Sequence, residues 1–297
     1  MDGTRRIQVP RPAGDGHIAR LVDLLNGVLA PPPGRERIAL ALGLGVITHL
    51  VFAAAVLAMI VAMGFGMSRS FGNVPGGWAW MANAGLVLQF PLVHSLLLTR
   101  RGGRVLARGA HGATLVTTSY ALIASLQLLA LFALWTPSGV IWWQAQGAVL
   151  WVVLTAYAAC WLFLMKASFD AGAEVQSGAL GWMSLMAKRK PRFPDMPQTG
   201  MFRVIRQPIY LAFALTTWAV PVWTPDQLVL ALLLTAYCVI APLLKERRFR
   251  ARYGERFEAY AARVPYMVPR LARPTKKEAA QMGDLSPTGR EERQRGR

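Results

Sequence analysis

Three clusters of polar side chains stand out against an otherwise apolar sequence. The first is His94-Ser95, followed by Thr99-Arg100-Arg101. The second is Phe202-Arg203-Val204-Ile205-Arg206-Gln207-Pro208-Ile209-Tyr210. The third begins at Lys245-Glu246-Arg247-Arg248-Phe249 and continues through Tyr253-Gly254, Tyr260 and Val264-Pro265. Each contains groups that can do chemistry. His94 can exchange a proton near neutral pH. The Arg206 guanidinium forms a fork that matches a carboxylate. Gln207 and Glu246 together supply an amide and an acid. A metal centre is not expected, because His17, His49, His94 and His111 are scattered without ligand spacing.

These clusters must be positioned by elements of an unusual composition. The 297 residues are 54% hydrophobic and 16% charged, and 33 Lys and Arg against 15 Asp and Glu give a formal charge of +18. From Ile38 to Leu98 the one charged residue is Arg69, from Gly109 to Met165 there is none, and from Gln207 to Leu244 there is one, Asp226. Charge-free apolar runs of about 20 residues are what a bilayer core demands. Such spans are helices, since backbone groups in lipid must be satisfied internally. The expected fold is therefore all-α, a polytopic helical membrane protein with about six transmembrane helices: 38–67, 78–98, 115–135, 141–165, 208–223 and 227–244. Thr224-Pro225-Asp226 turns the last two into a hairpin. That hairpin returns Gln207-Pro208 and Glu246 to the same depth, so topology alone brings two polar clusters together.

The basic loops set the orientation. Arg100, Arg101, Arg104 and Arg108 follow the second span, and Lys166, Lys188 to Lys190, Arg192, Arg203 and Arg206 follow the fourth. From Lys245 onward there are 15 Lys and Arg and seven acids. The positive-inside rule then puts both termini in the cytosol. Residues 1–37 read as a polar N-terminal segment, 38–165 as a four-helix membrane region, 166–269 as a core with the hairpin, and 270–297 as a basic disordered tail. Phe249, Tyr253, Phe257 and Tyr260 share one helical face, so 245–263 reads as an interfacial amphipathic helix against lipid. Cys160 and Cys238 read as apolar packers, and His49 as a helix-packing hydrogen bonder. With no acid or base at mid-depth, an ion-coupled transporter is disfavoured. No folded nucleic-acid reader accompanies the charge.

Arg206-Gln207-Pro208-Ile209-Tyr210 resembles the Arg-His-Pro-x-Tyr motif of the isoprenylcysteine carboxyl methyltransferase superfamily. Glu246, Tyr253-Gly254, Tyr260 and Val264-Pro265 resemble its Glu-Glu…Phe-Gly…Tyr…Val-Pro signature. His94-Ser95 with the basic residues after it is similar to a segment of the methanethiol S-methyltransferase-like branch, whose members also resemble the nitrite and nitric-oxide-associated membrane proteins of bacteria. The resemblance implies methyl transfer from S-adenosylmethionine to a small thiol or other lipophilic acceptor, at the cytosolic face of a bacterial inner membrane. It further implies a cofactor pocket of Arg206, Gln207, Pro208, Tyr210, Glu246, Tyr253 and Tyr260, with His94 and Arg206 in catalytic roles. Two positions depart from the motif: Gln207 replaces its His and Lys245 its first acid. The alternatives are a pseudo-methyltransferase, which those departures favour, and an NADPH-dependent sterol-type reductase.

Overall fold

A computed structural model describes residues 17–269; the first 16 residues and the basic tail from 270 lie outside the described residues. The helices are α1 (His17–Leu29), α2 (Arg35–Gly64), α3 (Trp78–Leu97), α4 (Arg100–Leu106), α5 (Gly112–Ala133), α6 (Gly147–Asp170), α7 (Ala173–Gln176), α8 (Ala179–Met186), α9 (Pro208–Trp218), α10 (Pro225–Tyr253) and α11 (Glu255–Arg263). Two short strands, β1 (Trp143–Gln144) and β2 (Val222–Trp223), pair antiparallel. The chain is thus an all-α integral membrane protein. Among the described residues, α2, α3, α5, α6 and α10 are long and apolar enough to cross a bilayer, and α9 is a shorter apolar helix.

The expected fifth span is helical for only its first 11 residues. At 1.5 Å per residue this covers about 16 Å, roughly half of a hydrocarbon core of ~30 Å. Pro221 has no amide hydrogen and restricts the residue before it, so the helix stops and the chain runs extended. Its backbone is satisfied by protein: Trp142 N donates to Trp223 O, Ala145 N to Pro221 O, and the Gln227 side-chain amide to Thr217 O at 2.7 Å. Irregular backbone at membrane depth needs such cover.

The chain alternates between two faces. On the face opposite the basic loops, Asp226 is buried, accepting from the Trp135 indole at 3.0 Å and from Ser138 N at 2.9 Å. Asn83 and Thr136 exchange two hydrogen bonds there. These contacts clamp the ends of α3, α5 and α10. The core beneath them is formed by Met59, Met63, Leu131, Phe132, Leu230 and Leu234.

On the basic face, two elements were not anticipated from sequence. Residues 17–29, read with the polar N-terminal segment, form an amphipathic helix whose Leu24 packs on Leu180 and Met183 of α8. Arg20 pairs with the buried carboxylate of Glu174 at 2.6 Å. The short, buried α8 lies against α2 and α5. His49 bonds Gly45 O at 2.9 Å and meets the Trp182 ring edge-on, so it serves helix packing.

Gly178 seats α8. Its φ is +77°, and an added Cβ would stand 2.7 Å from the Ala121 methyl and 3.1 Å from Thr117 O. Thr118 Oγ1 donates to Gly178 O at 2.7 Å and accepts from Trp182 N at 2.9 Å. Gly178→Ala combines a left-handed backbone with a clash, so it is expected to cost about 1–3 kcal/mol. Thermal melting in detergent checks this, and an unchanged midpoint would show that α8 is not held there.

Candidate functional site

The candidate site lies at the base of the α9–α10 hairpin, where the second and third polar clusters of the sequence meet. Gln207 is the residue before Pro208, which takes the first helical position of α9, where a proline fits well. Glu246 lies on α10, directly before Arg247 and Arg248. The two meet: Gln207 Nε2 donates to Glu246 Oε1 at 2.8 Å. Arg206 grips the same carboxylate with Nε at 2.9 Å and Nη2 at 3.3 Å. Its remaining Nη1 donates to the carbonyls of Ala261 at 3.0 Å and Val264 at 2.6 Å. Glu246 is 3% exposed and Gln207 2%.

Lys245 completes the cluster. Its ammonium donates to Gln207 Oε1 at 3.2 Å and sits 5.5–5.7 Å from the ring centres of Phe202, Tyr210 and Phe249. Such a ring of aromatic faces attracts a cation through its quadrupoles. The two departures from the family motif are therefore bonded to each other. The Gln207 amide accepts from Lys245 on one side and donates to Glu246 on the other, using both halves of its hydrogen-bonding capacity.

The segment after α10 closes the cluster. The expected continuous interfacial helix over 245–263 is divided, because Gly254 takes φ +53° and ψ −130°, a backbone state that suits glycine. The chain turns there, and α11 folds back. Its aromatic face points inward rather than to lipid: Phe257 and Tyr260 are buried with Met196 and Val264. Arg206 N donates to Pro265 O at 2.9 Å and Gln207 N to Tyr266 O at 3.1 Å, so 264–266 seals the entry to α9.

Tyr260 reaches through this packing to donate to Phe202 O at 2.8 Å. Burial pushes its hydroxyl from an ordinary 10.0 up to about 12. A group whose folded value is raised favours the folded state below the unfolded value and loses that contribution as pH rises through the folded one. Melting points of the wild type should fall between pH 10 and 12 more steeply than those of Tyr260→Phe. At neutral pH the variant should lose about 1 kcal/mol. Parallel pH profiles would overturn this assignment.

The other anticipated residues are placed as follows. Tyr210 forms a wall under Lys245. Tyr253 packs edge-on against Phe249, with Arg252 and Arg256 over its ring, and it does not line the cleft. His94 sits apart on α3, with its Nε2 2.6 Å from the Tyr120 hydroxyl. Sequence reading missed the aromatic cage of Phe202 and Phe249, and the carbonyls of Ala261 and Val264. It also took Lys245 as a departure only, although its place next to Glu246 on one helix end was visible.

Sequence comparison bears on what such a site belongs to. No family model and no solved structure matches the chain. A 200-residue stretch, 66% of this chain and 75% of the relative, is 30% identical to methanethiol S-methyltransferase 2 of Bradyrhizobium diazoefficiens. The chain belongs to the methanethiol S-methyltransferase family. Another member, methanethiol S-methyltransferase of Pseudomonas deceptionensis, is 26% identical over 212 residues, 70% of this chain and 80% of that one. Nurim of Sus scrofa is 28% identical over 191 residues, 60% and 69% of the two chains. The family therefore places the chain in the membrane-methyltransferase branch of the isoprenylcysteine carboxyl methyltransferase-like proteins.

A methyltransferase needs a methyl donor. The aromatic cage is filled by the Lys245 ammonium, and the Arg206 fork and the Glu246 carboxylate are engaged with each other. The space enclosed by Pro197, Phe202, Lys245, Phe249, Phe257 and Tyr260 is only about 10 Å³, room for roughly one water. The cleft is thus packed shut by its own side chains. Among the described residues, no three His, Cys, Asp or Glu come together to hold a metal.

Proposed function

We propose that this protein is an integral membrane methyltransferase that moves a methyl group from S-adenosylmethionine to a small thiol or similar lipophilic acceptor. The observation that carries the reading is the convergence of Arg206 and Gln207 on the buried Glu246 carboxylate, with Lys245 bonded to Gln207 beside them. Placed at the cytosolic end of the hairpin, this cluster faces the side from which a charged, water-soluble donor arrives. Both termini then lie in the cytosol, with the protein in a bacterial inner membrane.

In this reading these side chains exchange contacts with one another for contacts with the donor: Arg206 turns from Glu246 to the donor carboxylate, Glu246 accepts ribose hydroxyls, and the Tyr210 and Phe202 rings flank the donor's cationic end in place of Lys245. When bound, the donor supplies an electrophilic methyl group. The protein's part is to hold the partners in line and to exclude water, which accounts for most of the rate in such displacements. That chemistry needs few titrating groups, in keeping with the sparse ionisable residues of the spans. His94 serves the acceptor.

The complete bonding of Gln207 and Lys245 supports an intact site over a decayed one. A decayed site would leave buried polar groups unpaired, at a cost. The test is calorimetric titration of S-adenosylmethionine into protein in nanodiscs, followed by transfer of labelled methyl to methanethiol. Saturable binding and a volatile labelled thioether are expected. A folded sample that binds no donor would overturn the proposal.

A further inference from the structure

A second polar group lies within the helix bundle, where α3, α5 and α10 meet. His94 Nε2 is 2.6 Å from Tyr120 Oη, with ring centres 5.0 Å apart. Phe90, one turn earlier on α3, covers the imidazole at 5.0 Å and touches Tyr237 of α10 at 6.0 Å. Tyr237 stands beside Ser95. The groups that act on this pair are Tyr237 and Arg248 from α10 and Tyr210 from α9, and Arg248 is the charge felt at His94 itself. α4 also packs on α3 but brings no group whose charge is felt there.

The other imidazole nitrogen is different. Nδ1 of His94 is buried and has no hydrogen-bond partner. Leaving a buried polar atom unpaired is unfavourable, so its presence calls for an explanation. Here one nitrogen is committed to a hydroxyl on a neighbouring helix, while the other is held vacant in an aromatic, carboxylate-free setting. An unpaired ring nitrogen there is chemically suited to accept the proton of a small thiol. Tyr210 joins it to the donor cleft. Its ring lies under the Lys245 ammonium, and its hydroxyl is within electrostatic reach of Tyr120 and Tyr237.

We infer that Tyr120 is a positioning residue: its oxygen accepts from His94 Nε2–H, fixing the tautomer whose Nδ1 lone pair takes the proton of a small thiol as the thiol is methylated. This rests on the methyltransferase reading. In the step, a sulfur lone pair of the thiol forms the new S–C bond to the methyl carbon. The donor's sulfonium sulfur keeps the electron pair of the S–C bond that breaks. The S–H proton moves to Nδ1 and leaves later to water. No oxidant or reductant is needed. The hydrogen bond on Nε2 also steadies the imidazolium that forms, as an oriented acceptor does for other catalytic histidines.

The experiment uses full-length protein labelled with ¹⁵N-histidine in nanodiscs. Four histidines are present, so His94→Gln assigns the signal. The wild type should show His94 protonated at Nε2, with Nδ1 shifting when methanethiol is added without donor. Tyr120→Phe keeps the ring and removes the hydroxyl. It should mix the tautomers, displace the acidic limb of the pH–rate profile and lower kcat/KM for the thiol by about tenfold. Affinity for S-adenosylmethionine should stay unchanged. His94→Gln should lose roughly a hundredfold or more. His49, held to Gly45 O, reports in the same spectrum that α2 is intact. An unaltered tautomer and pH profile in Tyr120→Phe, or a thiol titration that leaves His94 unmoved, would overturn the inference. Wild-type protein that neither binds donor nor methylates thiols would instead overturn the methyltransferase reading, and the tautomer signal would still judge the His94–Tyr120 pairing.

Discussion

Glu246→Ala is expected to abolish saturable S-adenosylmethionine binding and to lower stability by about 3–5 kcal/mol, the range for removing one partner of a buried ion pair. The size follows from what is left behind. Arg206 loses two bonds to the carboxylate, and Gln207 loses the acceptor for its amide. Lys245 remains beside Arg206 with no intervening negative charge. Glu246→Gln keeps the volume and one acceptor oxygen, so it should be milder in stability yet still impaired in binding. The combined Arg206→Ala, Glu246→Ala variant should be less destabilised than the sum of the two single changes, because neither charge is then stranded. Melting curves and calorimetry read these quantities. If Glu246→Ala melts with the wild type, the cluster does not hold the hairpin base together.

The chemistry of the site was more visible in the sequence than its enclosure. The charge-free runs announced α2, α3, α5, α6 and α10, since a bilayer imposes length and apolarity directly on composition. The hairpin then made the Gln207–Glu246 encounter a matter of topology. Local pattern could not show where α9 would end, because Ala219 to Trp223 is as apolar as the helix before it. Its extended state depends on Pro221 and on partners in β1, far along the chain. The same limit applies to α1 and α8. Their apolar stripes are short, and only contact with each other and with α5 separates them from loop. The aromatic spacing over 249–260 correctly marked a buried face. It could not say that protein rather than lipid would bury it. That depended on Gly254 turning the chain back onto Met196.

The motif departures illustrate how far residue types go without geometry. Gln207 cannot titrate and Lys245 reverses a charge, so each alone argues for lost activity. Together they form a chain, Lys245 to Gln207 to Glu246, in which donors and acceptors match. A His at 207 beside an acid at 245 would present the opposite polarity on that side. The two positions thus act as a pair, and changing one without the other should be worse than changing both.

Arg206→Lys should be nearly as damaging as Arg206→Ala, although the charge is kept. Arginine spans two places here: a fork on Glu246 and a third nitrogen on the carbonyls of Ala261 and Val264. A lysine ammonium is a single point on a flexible stem and cannot serve both. It will stay with Glu246, where the charge is, and abandon the two carbonyls. Those carbonyls terminate α11 and lead into the 264–266 segment that seals α9. Two hydrogen bonds to a charged donor contribute about 1.5–3 kcal/mol each, so a loss of about 3–6 kcal/mol is expected, confined to the C-terminal part. Hydrogen exchange should therefore accelerate across 255–269 while α2 and α5 keep their protection, a local opening of the kind that precedes global unfolding. Because that opening uncovers Phe202, Tyr260 and the carboxylate, donor binding should weaken by the free energy needed to re-form the cover. If exchange across 255–269 is unchanged in Arg206→Lys, the cover is held by the Phe257 and Tyr260 packing alone, and Arg206 serves only the carboxylate.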